Sequence, residues 1–377
     1  MSSSVLYSQD QTQFNESIDR FLTDKSDVSA VRQLMATSEG YDATVWQQLS
    51  SELGLPGIHI PEAYGGFGFG VIEQSIISEQ MGRHLYCGPY FASAVMAGYA
   101  VLLAAQASDR ERLLPQIADG SLIATLVLDD MESPASVGTS LQSVSDALET
   151  SISGVAPVVI DGLVAQTLVV VARSASGELA LYEVAPEQVR IDEREALDPT
   201  RKLAQLTFDS APARLLSAPG GIETPLDDIW DHICIALSHE MIGGAEHLFY
   251  STIEYMKLRV QFGRQIGSFQ ALKHRCADLL LELQLARSVV HAAARDRATD
   301  AEEPWQANMA KAMASDAYMN IARQAIQLRG GIGFTWEEDT HLWFKRAKAS
   351  EVLFGSPSWH RERMIQRMQA LGEIPNV

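Results

Sequence analysis

Arg259-Val260-Gln261-Phe262-Gly263-Arg264-Gln265-Ile266-Gly267-Ser268-Phe269-Gln270 interrupts an otherwise helical half of the chain. Before it, Ile229, Ile233, Ala236 and Leu237 begin one apolar stripe. After it, Phe269, Leu272, Cys276, Leu279, Leu280, Leu283, Ala286 and Val290 form another, at spacings of three and four. Farther on, Gln327-Leu328-Arg329-Gly330-Gly331-Ile332-Gly333-Phe334-Thr335 closes a third helical stretch. Taken singly, each segment has a plain structural meaning: an arginine paired with a carboxylate, and glycines ending a helix. Long helices with short connections from Thr224 onward predict an antiparallel four-helix bundle over 221–377. Pro225, followed by Leu226-Asp227-Asp228, fits a helix start.

Upstream the pattern changes. Runs at 122–128, 155–160, 168–172, 179–184 and 204–208 are short, rich in β-formers and punctuated by Pro, Gly, Asp and Ser. They predict a middle domain over 121–220 built as a small β-barrel. Earlier still, Phe14, Ile18, Phe21 and Leu22, then Val45-Trp46 with Leu49, Leu53 and Leu55, recur at helical spacing and predict a helical domain over 1–120. Within it Ile60-Pro61-Glu62-Ala63-Tyr64-Gly65-Gly66-Phe67-Gly68-Phe69-Gly70 is a glycine-rich loop between helices. The fold class is therefore α+β, helices first, strands in the middle, helices last.

The net charge of −19 excludes nucleic acid and anionic membrane surfaces as partners, since both call for clustered Lys and Arg. Hydrophobic content of 46% with 20% charged residues is that of a soluble globular protein. Cys87, Cys234 and Cys276 are far apart and in no metal-like spacing, as expected of reduced thiols in a cytoplasmic protein. Met1 to Asp10 shows no apolar signal core, and no apolar run is long enough for a bilayer. His239-Glu240 begins like a zinc-protease motif, but Gly243 stands where the second histidine belongs, so no metal site is expected. No Gly-x-Ser-x-Gly elbow appears either.

The two glycine-containing motifs, in this order, resemble the C-terminal domain of flavin-dependent acyl-CoA dehydrogenases, and helix–barrel–helix is the order of that fold. The resemblance runs from about Ile60 to Arg363 and includes the Tyr64-Gly65-Gly66 loop, Glu79-Gln80-Met81-Gly82-Arg83 and Leu197-Asp198-Pro199-Thr200-Arg201. It implies α,β-dehydrogenation of an acyl-CoA thioester with FAD as cofactor and an electron-transfer flavoprotein as acceptor. It also implies that Arg259, Phe262, Gln270, Gln327, Gly330 and Gly331 reach the FAD of a neighbouring subunit: Arg259 at the pyrophosphate, Phe262 and Gln270 at the adenosine end, and the glycines through their backbone.

The same resemblance exposes what is missing. The family's Thr-Glu-Pro-x-Ala-Gly-Ser-Asp loop, which lines the flavin ring, is replaced by Leu126-Val127-Leu128-Asp129-Asp130-Met131-Glu132-Ser133-Pro134-Ala135-Ser136. Asp129 and Asp130 would put negative charge where a reduced, anionic flavin sits. Of the family's two positions for the catalytic glutamate, one is Phe354, in Leu353-Phe354-Gly355-Ser356, and the other is Ile233. Neither accepts a proton, and a general base is worth about 10²–10⁴ in rate. The chain reads as the non-catalytic partner in an α2β2 dehydrogenase, similar to those acting on bulky steroid side-chain CoA thioesters. Two other readings fit the same residues. One is a complete homotetramer with Glu240 or Asp231 as base. The other is a flavin-free structural or regulatory homologue. In the plain reading, Asp227, Asp228 and Asp231 are a solvated first helical turn.

Overall fold

The computed structural model of the protein describes residues 7–145, 150–299 and 303–375, so the reading of the first ten residues falls partly outside it. The chain forms two compact units. One contains the chain up to Val31, Ser75–Tyr86 and the chain from Cys234 onward; the other contains Arg32–Gln74 and Cys87–Ile233. The elements follow the expected order: helices α1 (Gln9–Lys25) to α6 (Ala107–Ala118), strands β1 (Ala124–Val127) to β8 (Arg214–Leu215), then helices α7 (Glu223–Leu258) to α11 (Pro357–Ala370).

The strands make one curled, mixed sheet in the order β6 (Arg190–Arg194), β7 (Leu203–Pro212), β3 (Thr150–Ile160), β2 (Gln142–Ser145), β4 (Thr167–Ser174), β5 (Leu179–Val184) and β8, with β1 added beside β4. Strand β4 (Thr167–Ser174) pairs in parallel with β1 and antiparallel with β5 (Leu179–Val184). It is buried on both faces, which explains the unbroken apolar run from 168 to 172. Strand β7 (Leu203–Pro212) instead alternates, burying Ala204, Leu206 and Phe208 on one face against Ile152, Val170 and Leu168. Register shifts in the pairing of β3 (Thr150–Ile160) with β7 bend the sheet between Ile152 and Gly154 and between Ala156 and Val159. In the same unit Phe91–Ala97 is a buried π-helical turn leading into α5 (Gly98–Ala104). All three cysteines are buried, and none is in a disulfide. No helix among the described residues is long and apolar enough to cross a membrane.

In the other unit the long helices are α8 (Gln270–Ala298), α9 (Trp305–Arg329), α10 (Thr340–Val352), α11 and the later part of α7. Helix α4 (Val71–Arg83) meets α7 backbone to backbone. A Cβ on Gly82 would lie 1.8 Å from the Glu240 carbonyl oxygen, and one on Gly243 would lie 1.8 Å from that of Glu79. Gly243, which removes the zinc-protease pattern from the sequence, is thus the residue that lets α4 in. That crossing brings Glu79 beside His239 within the unit.

Candidate cofactor site

The Arg259 segment follows the end of α7. Val260–Gln261 and Arg264–Gln265 pair as a minimal hairpin, and the two residues between them, Phe262 and Gly263, have φ of 53° and 74°. Two positive φ values are the requirement of a type I′ turn. Glycine meets it freely; for phenylalanine it costs about 1 kcal/mol. That strain holds a ring that is 92% exposed. Phe262 meets the ring of Phe269 edge-on at 6.1 Å, and the Arg264 guanidinium lies 3.9 Å over the other side of that aromatic group. A strained turn presenting an unburied aromatic is spent on something other than the fold.

Opposite it, α9 ends at Arg329 and the chain leaves through Gly330, with φ 69° and ψ −145°. That is a region only glycine occupies without strain. A Cβ on Gly330 or Gly331 would meet nothing within 4 Å, so the backbone faces open space. The hairpin, the start of α8 and the end of α9 enclose a cavity of about 570 Å³. Arg259, Phe262, Gln327, Gly330 and Gly331 all line it. Gln270 does not; it is exposed on the first turn of α8, with its amide 3.1 Å from His274. No carboxylate lines the cavity, although the chain carries 48 acids against 29 Lys and Arg. Arg329, which the sequence motif contained but did not single out, lines it too. Arg329 is pinned by Glu338 at 3.0 Å, by Ser251 at 3.0 Å and by Thr252.

These features fit the adenosine diphosphate part of a flavin dinucleotide. Arg259 forms no side-chain hydrogen bond or ion pair with a described residue, so its fork is available to phosphate oxygens. Gly330 and Gly331 form a cradle that any side chain would fill.

The positions for a base are occupied by packed side chains. Phe354 is fully buried in the loop between α10 and α11 and also has positive φ, 57°. A polar net locks this loop. His360 contacts the Phe354 carbonyl oxygen at 2.9 Å, and the buried Lys311 ammonium donates to the carbonyls of Gly355 and Glu351, each at 3.3 Å. Burial holds Lys311 down to about 8. Ile233 is fully buried on α7. Of the substitute carboxylates, Glu240 is buried and ion-paired with buried Arg346 at 3.0 Å. Asp231 is buried as well, which corrects its reading as part of a solvated first turn; Asp227 and Asp228 are exposed as that reading expects.

In the other unit, Asp129 is not free charge. Its carboxylate accepts backbone N–H groups from Gly138 at 2.7 Å, Leu141 at 3.0 Å and Ser140, tying down the loop ahead of strand β2 (Gln142–Ser145). The sequence signals Asp129 as an acid near the flavin ring; in the fold it organises a loop.

Sequence reasoning misses one buried cluster altogether. Glu79 Oε2 lies 3.4 Å from His239 Nδ1 and 3.1 Å from His291 Nε2, and accepts from the Tyr7 hydroxyl at 3.3 Å. Arg287 donates to the other Glu79 oxygen at 3.1 Å and to Glu246 at 3.0 Å. Burial alone would raise the Glu79 pKa, but His291, His239 and Arg287 overcome it and hold the carboxyl well below its usual range. Burial pushes His239 down to about 4 against the pull of Glu79. The ligand atoms of Glu79, His239 and His291 lie within 4.8 Å of one another, a two-histidine, one-carboxylate set. Arg287 already supplies the positive charge such a set would draw, and a guanidinium at this distance repels a metal cation.

Residues 231–369 match the family description "Acyl-CoA dehydrogenase, C-terminal domain", and residues 8–121 match "Acyl-CoA dehydrogenase, N-terminal domain". Acyl-CoA dehydrogenase IpdE2 of Mycobacterium tuberculosis is 36% identical over 87% of this chain and 88% of its own length. The protein of that name from Mycolicibacterium smegmatis is 30% identical over 96% of this chain and 99% of its own. Among solved structures, a variant of the Tcur3481-Tcur3483 steroid ACAD is similar with a TM-score of 0.86 at 26% identity, over 97% of this chain and 99% of that one. The ChsE4-ChsE5 complex from Mycobacterium tuberculosis shares the fold at a TM-score of 0.86 and 24% identity, over 98% and 99% of the two chains.

Proposed function

The chain belongs to the acyl-CoA dehydrogenase family, and on that premise we propose that it is the non-catalytic subunit of a two-component enzyme, lending residues to the FAD of a partner that carries the base. Family membership makes FAD the cofactor and a CH–CH bond of an acyl-CoA the site of oxidation. When bound, FAD supplies the hydride acceptor.

One observation carries the proposal. Five of the six residues expected at a neighbour's cofactor, all but Gln270, gather around one acid-free cavity, while Phe354 and Ile233 fill the two base positions with buried hydrocarbon. In this role Arg259 clamps the diphosphate, Gly330 and Gly331 admit it to the backbone, and Phe262 closes over the adenosine end, with Gln270 beside it on α8. Exposed Phe334, Trp336 and Leu258, on the segments bordering the cavity, supply apolar surface for a partner to cover. The two-protein designation of the steroid ACAD relative supports an α2β2 assembly and a bulky, steroid-derived acyl-CoA as substrate. An electron-transfer flavoprotein is the acceptor in this scheme. The Glu240–Arg346 ion pair weighs against a homotetramer using Glu240 as base, because the carboxylate is buried and already engaged by a guanidinium.

Purification alone and with a base-containing partner tests this. The chain by itself should carry little FAD and no activity, and the complex should be yellow and active. Arg259→Ala in the complex should strip flavin. Stoichiometric FAD and turnover from the pure chain would overturn the proposal.

A further inference from the structure

We propose that Arg275 is a second phosphate-binding guanidinium of this cavity, so that the site takes a diphosphate rather than a single phosphate. The inference rests on the trans-cofactor reading above and adds to it a residue outside both motifs. Arg275 lies on α8 and lines the cavity together with Ala271 and Leu272. Those residues precede it by four and three positions, so all three share one helix face. Arg275 is exposed and, like that of Arg259, its side chain forms no hydrogen bond or ion pair with a described residue.

Two unpaired guanidinium groups around one cavity need an explanation in so acidic a chain. Several arginines elsewhere find carboxylates: Arg83 with Asp19 and Glu246, Arg112 with Asp109 and Glu183, Arg287 with Glu79 and Glu246. Even Arg329, in the same lining, is held by Glu338. With no carboxylate in the lining, the two free forks repel each other until an anion arrives. Two forks on separate elements, one after α7 and one on α8, offer each phosphoryl group of a dinucleotide donors of its own. The glycine backbone on the third side carries no charge and leaves selection to the arginines. Arg275 therefore favours FAD over flavin mononucleotide, which carries a single phosphate.

The test reads flavin retained by the assembled complex, not turnover. The complex is passed through gel filtration at stepped salt concentrations and bound FAD is measured by its absorbance, for wild type, Arg275→Ala, Arg275→Lys and Arg259→Ala. Arg275→Ala should weaken FAD retention about tenfold or more, as expected for loss of a charge-assisted contact, and reduce its salt dependence. Arg275→Lys should recover part of the affinity. Arg275 is exposed and unpaired, so its replacement leaves the fold intact, and a melting curve checks this. If Arg275→Ala retains FAD like wild type while Arg259→Ala loses it, this inference falls and the trans-cofactor reading stands. If neither change matters, that reading falls and takes this inference with it.

Discussion

Replacing Arg287 with methionine should turn the Glu79 cluster from a support into a liability. Methionine preserves most of the side chain's length and apolar bulk and removes only the guanidinium. Glu79 and Glu246 then lose the cation that lies 3.1 Å and 3.0 Å from them. Glu79 is 95% buried, so solvent cannot take over the charge. Breaking a buried pair in this way costs about 3–5 kcal/mol, against a total stability of about 5–15 kcal/mol for a folded domain. The pH dependence follows from the direction of the shift. With Glu79 held low in the folded state, its contribution is present above the ordinary carboxylate range and is lost as pH falls through the folded value. Without Arg287 that value rises, so the variant should lose stability at a higher pH than wild type. Urea unfolding followed by circular dichroism at neutral and mildly acidic pH measures both effects. The double variant Glu79→Gln/Arg287→Met, with both charges gone, should recover much of the loss. Zinc adds a second readout: Arg287→Met leaves two histidines and a carboxylate without their competing cation, so Zn²⁺ should stabilise the variant and leave wild type unchanged. An unfolding midpoint in Arg287→Met equal to wild type, or zinc stabilisation of wild type, would refute the assignment of Arg287 as the counter-ion.

Three further outcomes are expected. Glu240→Gln should destabilise the chain by about 3–5 kcal/mol by leaving buried Arg346 without its carboxylate; loss of turnover with an unchanged melting curve would instead favour Glu240 as a base. Gly330→Ala forces a side chain onto a glycine-only conformation at a cost of about 1–3 kcal/mol and should release flavin from the complex, measured by absorbance. His239 and His247, the latter stacked at 4.0 Å on Trp343, are each pushed down to about 4 by burial, so they stay neutral while the unfolded chain gains protons. Stability should therefore fall between pH 6.5 and about 4, by roughly 2–3 kcal/mol for each histidine; His247→Gln should flatten that slope in urea titrations.

Sequence alone determined the order of elements, because apolar spacing records which face of each helix and strand is covered. The run from 168 to 172 announces a strand buried on both sides, and the stripe from Phe269 to Val290 announces α8. It also marked both walls of the cofactor cavity, since Arg259 and Gly330-Gly331 sit in short, local motifs whose conformations depend on their own residues. What it could not convey was which charges remain unpaired. Arg275 and Arg287 are ordinary helical arginines in the sequence, part of no motif; only packing shows one facing an acid-free cavity and the other neutralising Glu79. Gly243 reads as a broken metal motif, and only the approach of α4 reveals it as the gap through which Glu79 reaches His239. Asp129 reads as charge beside a flavin ring and Asp231 as part of a solvated helical turn, and tertiary structure buries both. The division has a physical cause: periodicity and turn chemistry are set by neighbours along the chain, whereas the fate of a charge is set by groups brought from far away in sequence, which packing alone brings within reach.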